Sequence, residues 1–260
     1  INTTPKVYFV VYDLASNAPV GNTVGASIAS KDELTVTVPD VVATTNFPAN
    51  SSNSTIDDIT DTVTLTPTDV APANAAQASD LAYLKLSLAV NEDQATWTNV
   101  TVTKLGNLAD GQVTTVKIYL DDGDNAYDGG DTLISPGVTT FSGGSAAIAL
   151  TAPQTILPSA KVYFVVYTLE ALATVGNTIG ARVTANTDMT VSGVDAVSAA
   201  NFPASSSNAT VIDGADTLTV TPTNLSGANI AQDSDYALLR LSMAMNQETA
   251  QWTALTVTKT

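Results

Sequence analysis

The chain has 260 residues and carries 9 Lys+Arg against 25 Asp+Glu, a formal charge of −16, with neither Cys nor His. That length holds one or two domains with a real core, and the charge argues against nucleic acid or anionic lipid as natural partners, since both are polyanions. Without Cys or His there are no disulfides, thiol nucleophiles, Cys/His zinc sites, imidazole bases or Ser-His-Asp triads, so an enzyme is not expected.

Only Glu33, Glu92, Glu170 and Glu248 are glutamates, and the remaining acids are aspartates. Asp favours turns and metal loops over helices, and abundant Thr and Val are β composition. In chain order, Lys6–Tyr12 is the first strand-like run, apolar on both faces. Val63 and Leu65 alternate with threonines up to Pro67, and a short helix is an alternative over 70–80. Leu84, Leu86, Leu88 and Val90 alternate with polar or small residues, as do Val100 and Val102 after Trp97, and then Val116, Ile118 and Leu120. The Val162–Tyr167 run and the Ile179, Ala181, Val183 alternation follow. Period-2 patterning with turn signals between short runs predicts an all-β, antiparallel β-sandwich. No run reaches the roughly 18–20 apolar residues of a membrane span.

The chain repeats itself. Lys6–Tyr12 recurs as Lys161–Tyr167, Asn46-Phe-Pro-Ala49 as Asn201-Phe-Pro-Ala204, and Trp97 as Trp252, all at an offset of 155 residues. The small polar stretches 50–61 and 205–216 read as linkers. Placing the joints near Ile56 and Val211 gives the C-terminal part of a preceding module (1–56), a complete module of about 155 residues (57–211) and the N-terminal part of a following one (212–260). Together the two part-modules lack a counterpart of residues 106–155. The sequence opens on Ile1 rather than Met and reads as processed or as an excerpt. A longer polypeptide, or partner chains that supply the missing strands, is the expectation.

One motif carries chemistry. Asp121-Asp-Gly-Asp-Asn-Ala-Tyr-Asp-Gly-Gly-Asp131 concentrates five carboxylates in eleven residues. Hard divalent ions take six to eight oxygens, and a Gly-bearing loop with Asp122, Asp124 and Asp128 at i, i+2, i+6 supplies them. Asp131 is placed to close the shell, Asp121 to ligate or support it, and the Ala126 carbonyl to contribute. Calcium in a structural role is the expected cofactor; an ion-free acidic hairpin loop is the alternative. The loop resembles Asp-rich calcium loops of the EF-hand, dockerin and thrombospondin type, although Ala126 stands where an acidic ligand is expected and no Glu closes it.

Asp57, Asp58 and Asp61 lie at the first joint, echoed by Asp213 and Asp216, and read either as a cation bridge or as a hydrated hinge. Sequons at Asn50, Asn53 and Asn208 fall in the expected linkers, where glycans would be tolerated. Trp97 and Trp252 read as core aromatics rather than sugar platforms.

The module resembles the tandem immunoglobulin-like repeats of bacterial and archaeal extracellular surface proteins. The residues that carry the resemblance are Trp97 to Lys104, Val116-Lys-Ile-Tyr119, the 121–131 loop with Thr-Leu-Ile134, and Lys161–Leu169. The resemblance implies secretion, calcium dependence and a filament, stalk, adhesin or surface-layer role. The expected function is a non-catalytic extracellular structural subunit that associates with copies of itself, with strand exchange as one way of joining them; an adhesin or carbohydrate-binding array is the alternative.

Overall fold

The computed structural model describes residues 1–15, 18–227, 229–246 and 248–259. Strand accounts for 41 % of the chain and helix for 4 %, so the protein is all-β and sandwich-like. Among the described residues the strands of the first quarter are short, β1 (Thr23–Val24), β2 (Ser27–Ile28), β3 (Ala49–Asn50) and β4 (Ser54–Thr55), with a single 3-10 turn at Lys31–Glu33. The middle contains β5 (Thr62–Asp69), β6 (Asn74–Ala76), β7 (Asp80–Val90), β8 (Ala95–Leu105), β9 (Val113–Leu120), β10 (Thr132–Leu133) and β11 (Ser145–Ile156). It continues with β12 (Lys161–Leu169), β13 (Thr178–Val183), β14 (Met189–Val191), β15 (Ala196–Val197), β16 (Ala204–Ser205) and β17 (Ala209–Ile212). A hairpin of β18 (Leu218–Asn224) and β19 (Leu239–Met245) follows.

Two sheets share one core. The first has the order β10-β9-β12-β7-β5-β15, and the second β11-β8-β13-β17-β6, with β14 on β8 and β16 on β13. The alternating positions read from the sequence point inward, as Val63, Leu65, Leu84, Leu86, Leu88, Val100, Val102, Val116 and Ile118 are all buried. Aromatic contacts tie the sheets together. Trp97 on β8 meets Tyr163 on β12 edge-on at 5.0 Å, and the Tyr167 hydroxyl donates to the Gly180 carbonyl of β13 at 3.4 Å.

Three expectations are corrected. Most pairs are antiparallel, but β15 runs parallel to β5 and β17 parallel to β6. Residues 70–80 hold β6 rather than a helix: Pro72 interrupts the segment, and Ala75 is buried beside β17. The stretch after 204 is no free linker. Ala204, Ala209 and Val211 are small enough to pack inside while the polar residues between them bond the backbone, and Ser206 Oγ accepts from Ala181 N at 2.9 Å.

The flanking segments reproduce the pairings of the middle, residue for residue at the 155 offset. Thr23↔Thr55 matches Thr178↔Thr210, Ile28↔Ala49 matches Val183↔Ala204, and Leu218↔Met245 matches Val63↔Val90. What they lack is a core. Tyr8 and Phe9 are 72 % and 85 % exposed, whereas Tyr163 and Phe164 are 0 % and 1 %; Trp252 is 58 % exposed and Trp97 is 0 %. The Lys6–Tyr12 run, the counterpart of central strand β12, pairs with nothing among the described residues.

Candidate functional site

The acidic loop leaves β9 after Leu120 and returns into β10 at Thr132. β9 is the neighbour of β12, whose outward-facing Phe164 is apolar and needs a cover. Tyr127 provides it, with its ring 6.0 Å from Phe164 and 5.2 Å from Tyr119. Burial, together with neighbouring Tyr119, raises the Tyr127 phenol well above its ordinary value. Tyr127 therefore fastens the loop to the sheet, a role the acidic pattern around it obscures.

Within the loop, carboxylates and backbone amides bond each other. Asp121 accepts from Gly123 N (3.1 Å) and Asn125 N (2.9 Å), Asp124 from Ala126 N (2.8 Å), and Asp128 from Gly130 N (2.6 Å). Asp131 closes the ring: its two oxygens accept from Asp122 N and Asp128 N, both at 3.2 Å. Asp121, Asp122 and Asp124 present oxygens within 4.8 Å of one another. Asp122 also lies against Gly130, where a Cβ would sit 2.3 Å from Asp122 Oδ2 and 3.1 Å from Asp128 Oδ1. So Asp121, Asp122 and Asp124 form one group, with Asp128 reaching it across Gly130 and Asp131 bracing both ends. Such a donor set fits a hard divalent cation that prefers oxygen. Lys161 borders the cavity beside Asp121 and Asp122, with no ion pair to either.

Burial raises the Asp131 carboxyl pKa, the two backbone amides oppose this, and the charges of Asp121 and Asp128 add to it. The folded state thus holds this proton more firmly than the unfolded chain. Its stabilisation is complete below the unfolded value and disappears as pH rises through the raised one. A cation at the loop reverses that cost by favouring the ionised form. Calcium is therefore expected to raise the melting temperature by several degrees at pH 7 and by much less at pH 4. The Asp124→Ala, Asp128→Ala double variant is expected to lose the response; a thermal melt with and without chelator at both pH values checks this.

Asn50, Asn53 and Asn208 are all exposed. Trp97 lies in the core and offers no stacking platform. No described helix is long and apolar enough to cross a membrane. Sequence reasoning missed Asp195 and Gln77, both of which act at the joints. Asp195 Oδ1 accepts from Asp61 N at 3.1 Å, and buried Gln77 donates to Ala173 O at 2.7 Å and Glu248 Oε1 at 3.3 Å. Separations of 134 and 171 residues hide such partners from any local pattern. Comparison with protein-family models gives no match, and neither does comparison with curated proteins.

Proposed function

We propose that this chain is an extracellular structural protein, a segment of a surface filament or array built of immunoglobulin-like β-sandwich modules that pair with copies of itself. Calcium at the Asp121–Asp131 loop stiffens the complete module, and the acidic surface, with glycans at Asn50, Asn53 and Asn208, keeps the array hydrated. The observation that carries the reading is the mismatch between bare and buried copies of one strand set. The exposed Lys6–Tyr12 run has one partner written into the same chain, because β12 pairs with β7, whose counterpart is β19.

Residues 106–155, which the part-modules lack, correspond to β9, β10 and nearly all of β11. These are the outermost strands on one side of both sheets. Their removal leaves β12-β7-β5-β15 facing β8-β13-β17-β6, two contiguous four-stranded layers. The 1–56 segment of one copy and the 212–259 segment of another contain counterparts of all eight strands. The side chains of Val7 to Tyr12 alone expose on the order of 800 Å², about what one partner contributes to a standard interface.

The β12–β7 register sets Val162 opposite Ser87, which puts Val7 of one copy opposite Ser242 of the next. Because the chain has no Cys, introduced thiols report that pairing alone. Mixing Val7→Cys chains with Ser242→Cys chains under mild oxidation is expected to give a disulfide-linked pair. Val7→Cys with Ala244→Cys, displaced by two residues or roughly 7 Å along the strand, is expected to give far less. Equal yields from both mixtures, or a strictly monomeric chain at high concentration, would sink the self-assembly reading.

A further inference from the structure

Asp61 sits at the entrance to β5, shut off from solvent at the rim of the sandwich, and neither of its carboxylate oxygens makes a well-formed hydrogen bond, although the Gln94 backbone approaches it. Few arrangements are less favourable than a buried carboxylate without a partner. The groups around it make matters worse. Asp195, from the turn between β14 and β15, places its carboxylate on Asp61 N, and Asp58 and Asp93, which with Asp57 line an otherwise apolar cavity, lie close enough for their charges to act on it. Burial first, then the charge of Asp195, raise the Asp61 pKa; the Gln94 backbone opposes this, and Asp93 and Asp58 add to the rise. Among the described residues no Lys or Arg forms an ion pair with any of these acids.

The repeat supplies an independent second view. At the 155 offset, Asp58, Asp61 and Asp93 become Asp213, Asp216 and Glu248. Those three side chains converge, with oxygens within 4.8 Å of one another, whereas at the first joint the acids lie further apart and no three of them come that close. The end of the central sandwich holds them there, since buried Gln77 donates to Glu248 Oε1 at 3.3 Å and accepts from Gly214 N at 3.1 Å. Asp and Glu alternate at the third position, so the carboxylate persists while the side-chain length changes. Asp216 is only partly buried, and its segment has no counterpart of the Asp195 turn.

We propose that each joint between modules is a second class of divalent-cation site, distinct from the 121–131 loop: Asp58, Asp61, Asp93 and Asp195 at the first joint, and Asp213, Asp216 and Glu248 at the second. A hard cation of the calcium type satisfies the orphaned Asp61 oxygens and offsets four like charges that no basic side chain meets. An ion there would draw together three separate stretches of chain, the lead-in to β5, the β7–β8 turn and the β14–β15 turn, whose acids already act on one another. Binding would therefore fix the direction in which one module leaves the next, a role separate from that of the loop.

The test uses the full chain and calcium alone, in the wild type, Asp61→Asn, the Asp124→Ala, Asp128→Ala loop variant, and the triple combination. Asp61→Asn removes a buried charge without changing shape, so it is expected to raise the melting temperature in chelator. In calcium the order reverses: the wild type gains and Asp61→Asn falls below it. Calorimetric titration is expected to show one calcium fewer in Asp61→Asn, with at least a tenfold loss of affinity at that site, and the loop variant is expected to keep it. If Asp61→Asn is stabilised equally with and without calcium and binds as many ions as the wild type, the joint site is refuted while the loop reading stands. Loss of binding only in the loop variant would likewise overturn the joint and leave the loop intact.

Discussion

Trp97→Ala is expected to lower unfolding free energy by about 3–5 kcal/mol, whereas Trp252→Ala, the same substitution at the repeat-equivalent position, is expected to change it by less than about 0.5 kcal/mol in dilute solution. The two residues share their local chemistry. Each donates its indole N–H to the carbonyl two residues on, Trp97 to Asn99 and Trp252 to Ala254. They differ in what lies across the sheet. Trp97 is wholly buried and packs edge-on against Tyr163, so truncation removes its apolar contacts and leaves a cavity that a two-sheet sandwich cannot close. Trp252 remains more than half exposed, and truncating it creates no cavity. Urea unfolding followed by far-ultraviolet circular dichroism measures both variants without relying on the deleted fluorophore. The same pair bears on assembly. In the proposed composite sandwich Trp252 would face Tyr8 of the neighbouring copy, so Trp252→Ala is expected to suppress Val7–Ser242 cross-linking while leaving the monomer intact.

That contrast also marks how far the sequence was legible. The repeat and the inward positions of β5, β7, β8 and β9 could be read directly, because period-2 alternation and identity at a fixed offset are local signals that burial on one face enforces. The stretch 71–78 could not. Alanines suit a helix or a tight inner strand equally, and it is the parallel partner β17, more than 130 residues on, that decides for β6. Residues 205–212 mislead for a similar reason: Ser and Asn look like linker, yet the Ser206 hydroxyl occupies a buried backbone-bonding position on β13. At the loop, the five aspartates are evident and their grouping is not. Tyr127 fastens the loop because Phe164 emerges beneath it, and Phe164 belongs to a strand whose apolar outer face the sequence explains only as central. At the joint, Asp61 looks like one exposed acid among several; that it is shut off from solvent beside Asp195, 134 residues further on, is visible only in the fold.

Gly106→Ala is expected to rival the loss of the tryptophan, at about 3 kcal/mol or more, and to lower the melting temperature by roughly 10 °C. Two costs combine. Gly106 has φ +86°, where an L side chain carries an intrinsic penalty of about 1–2 kcal/mol. An added Cβ would then sit 2.2 Å from the Thr178 carbonyl oxygen and 2.9 Å from Ile179 N, backbone atoms that cannot swing aside. The turn is held there for a reason: Leu108 N donates to Thr178 O at 3.1 Å, and Asn107 Oδ1 accepts from Thr178 N at 2.7 Å, locking the end of β8 onto the start of β13. Gly111→Ala is the matched control. Nothing lies within 4 Å of its Cβ position and its φ is not positive, so a gain of about 0.4–1 kcal/mol is expected from the stiffer unfolded chain. Differential scanning calorimetry of the two variants checks the contrast. The position matters beyond stability because β8–β13, with β7–β12, is a seam where the first half of the module meets the second. The proposed assembly between copies would form the counterparts of those seams from residues 1–56 and 212–259, which have no counterpart of Gly106, so Gly106→Ala is expected to weaken the complete module and leave the pairing between copies intact.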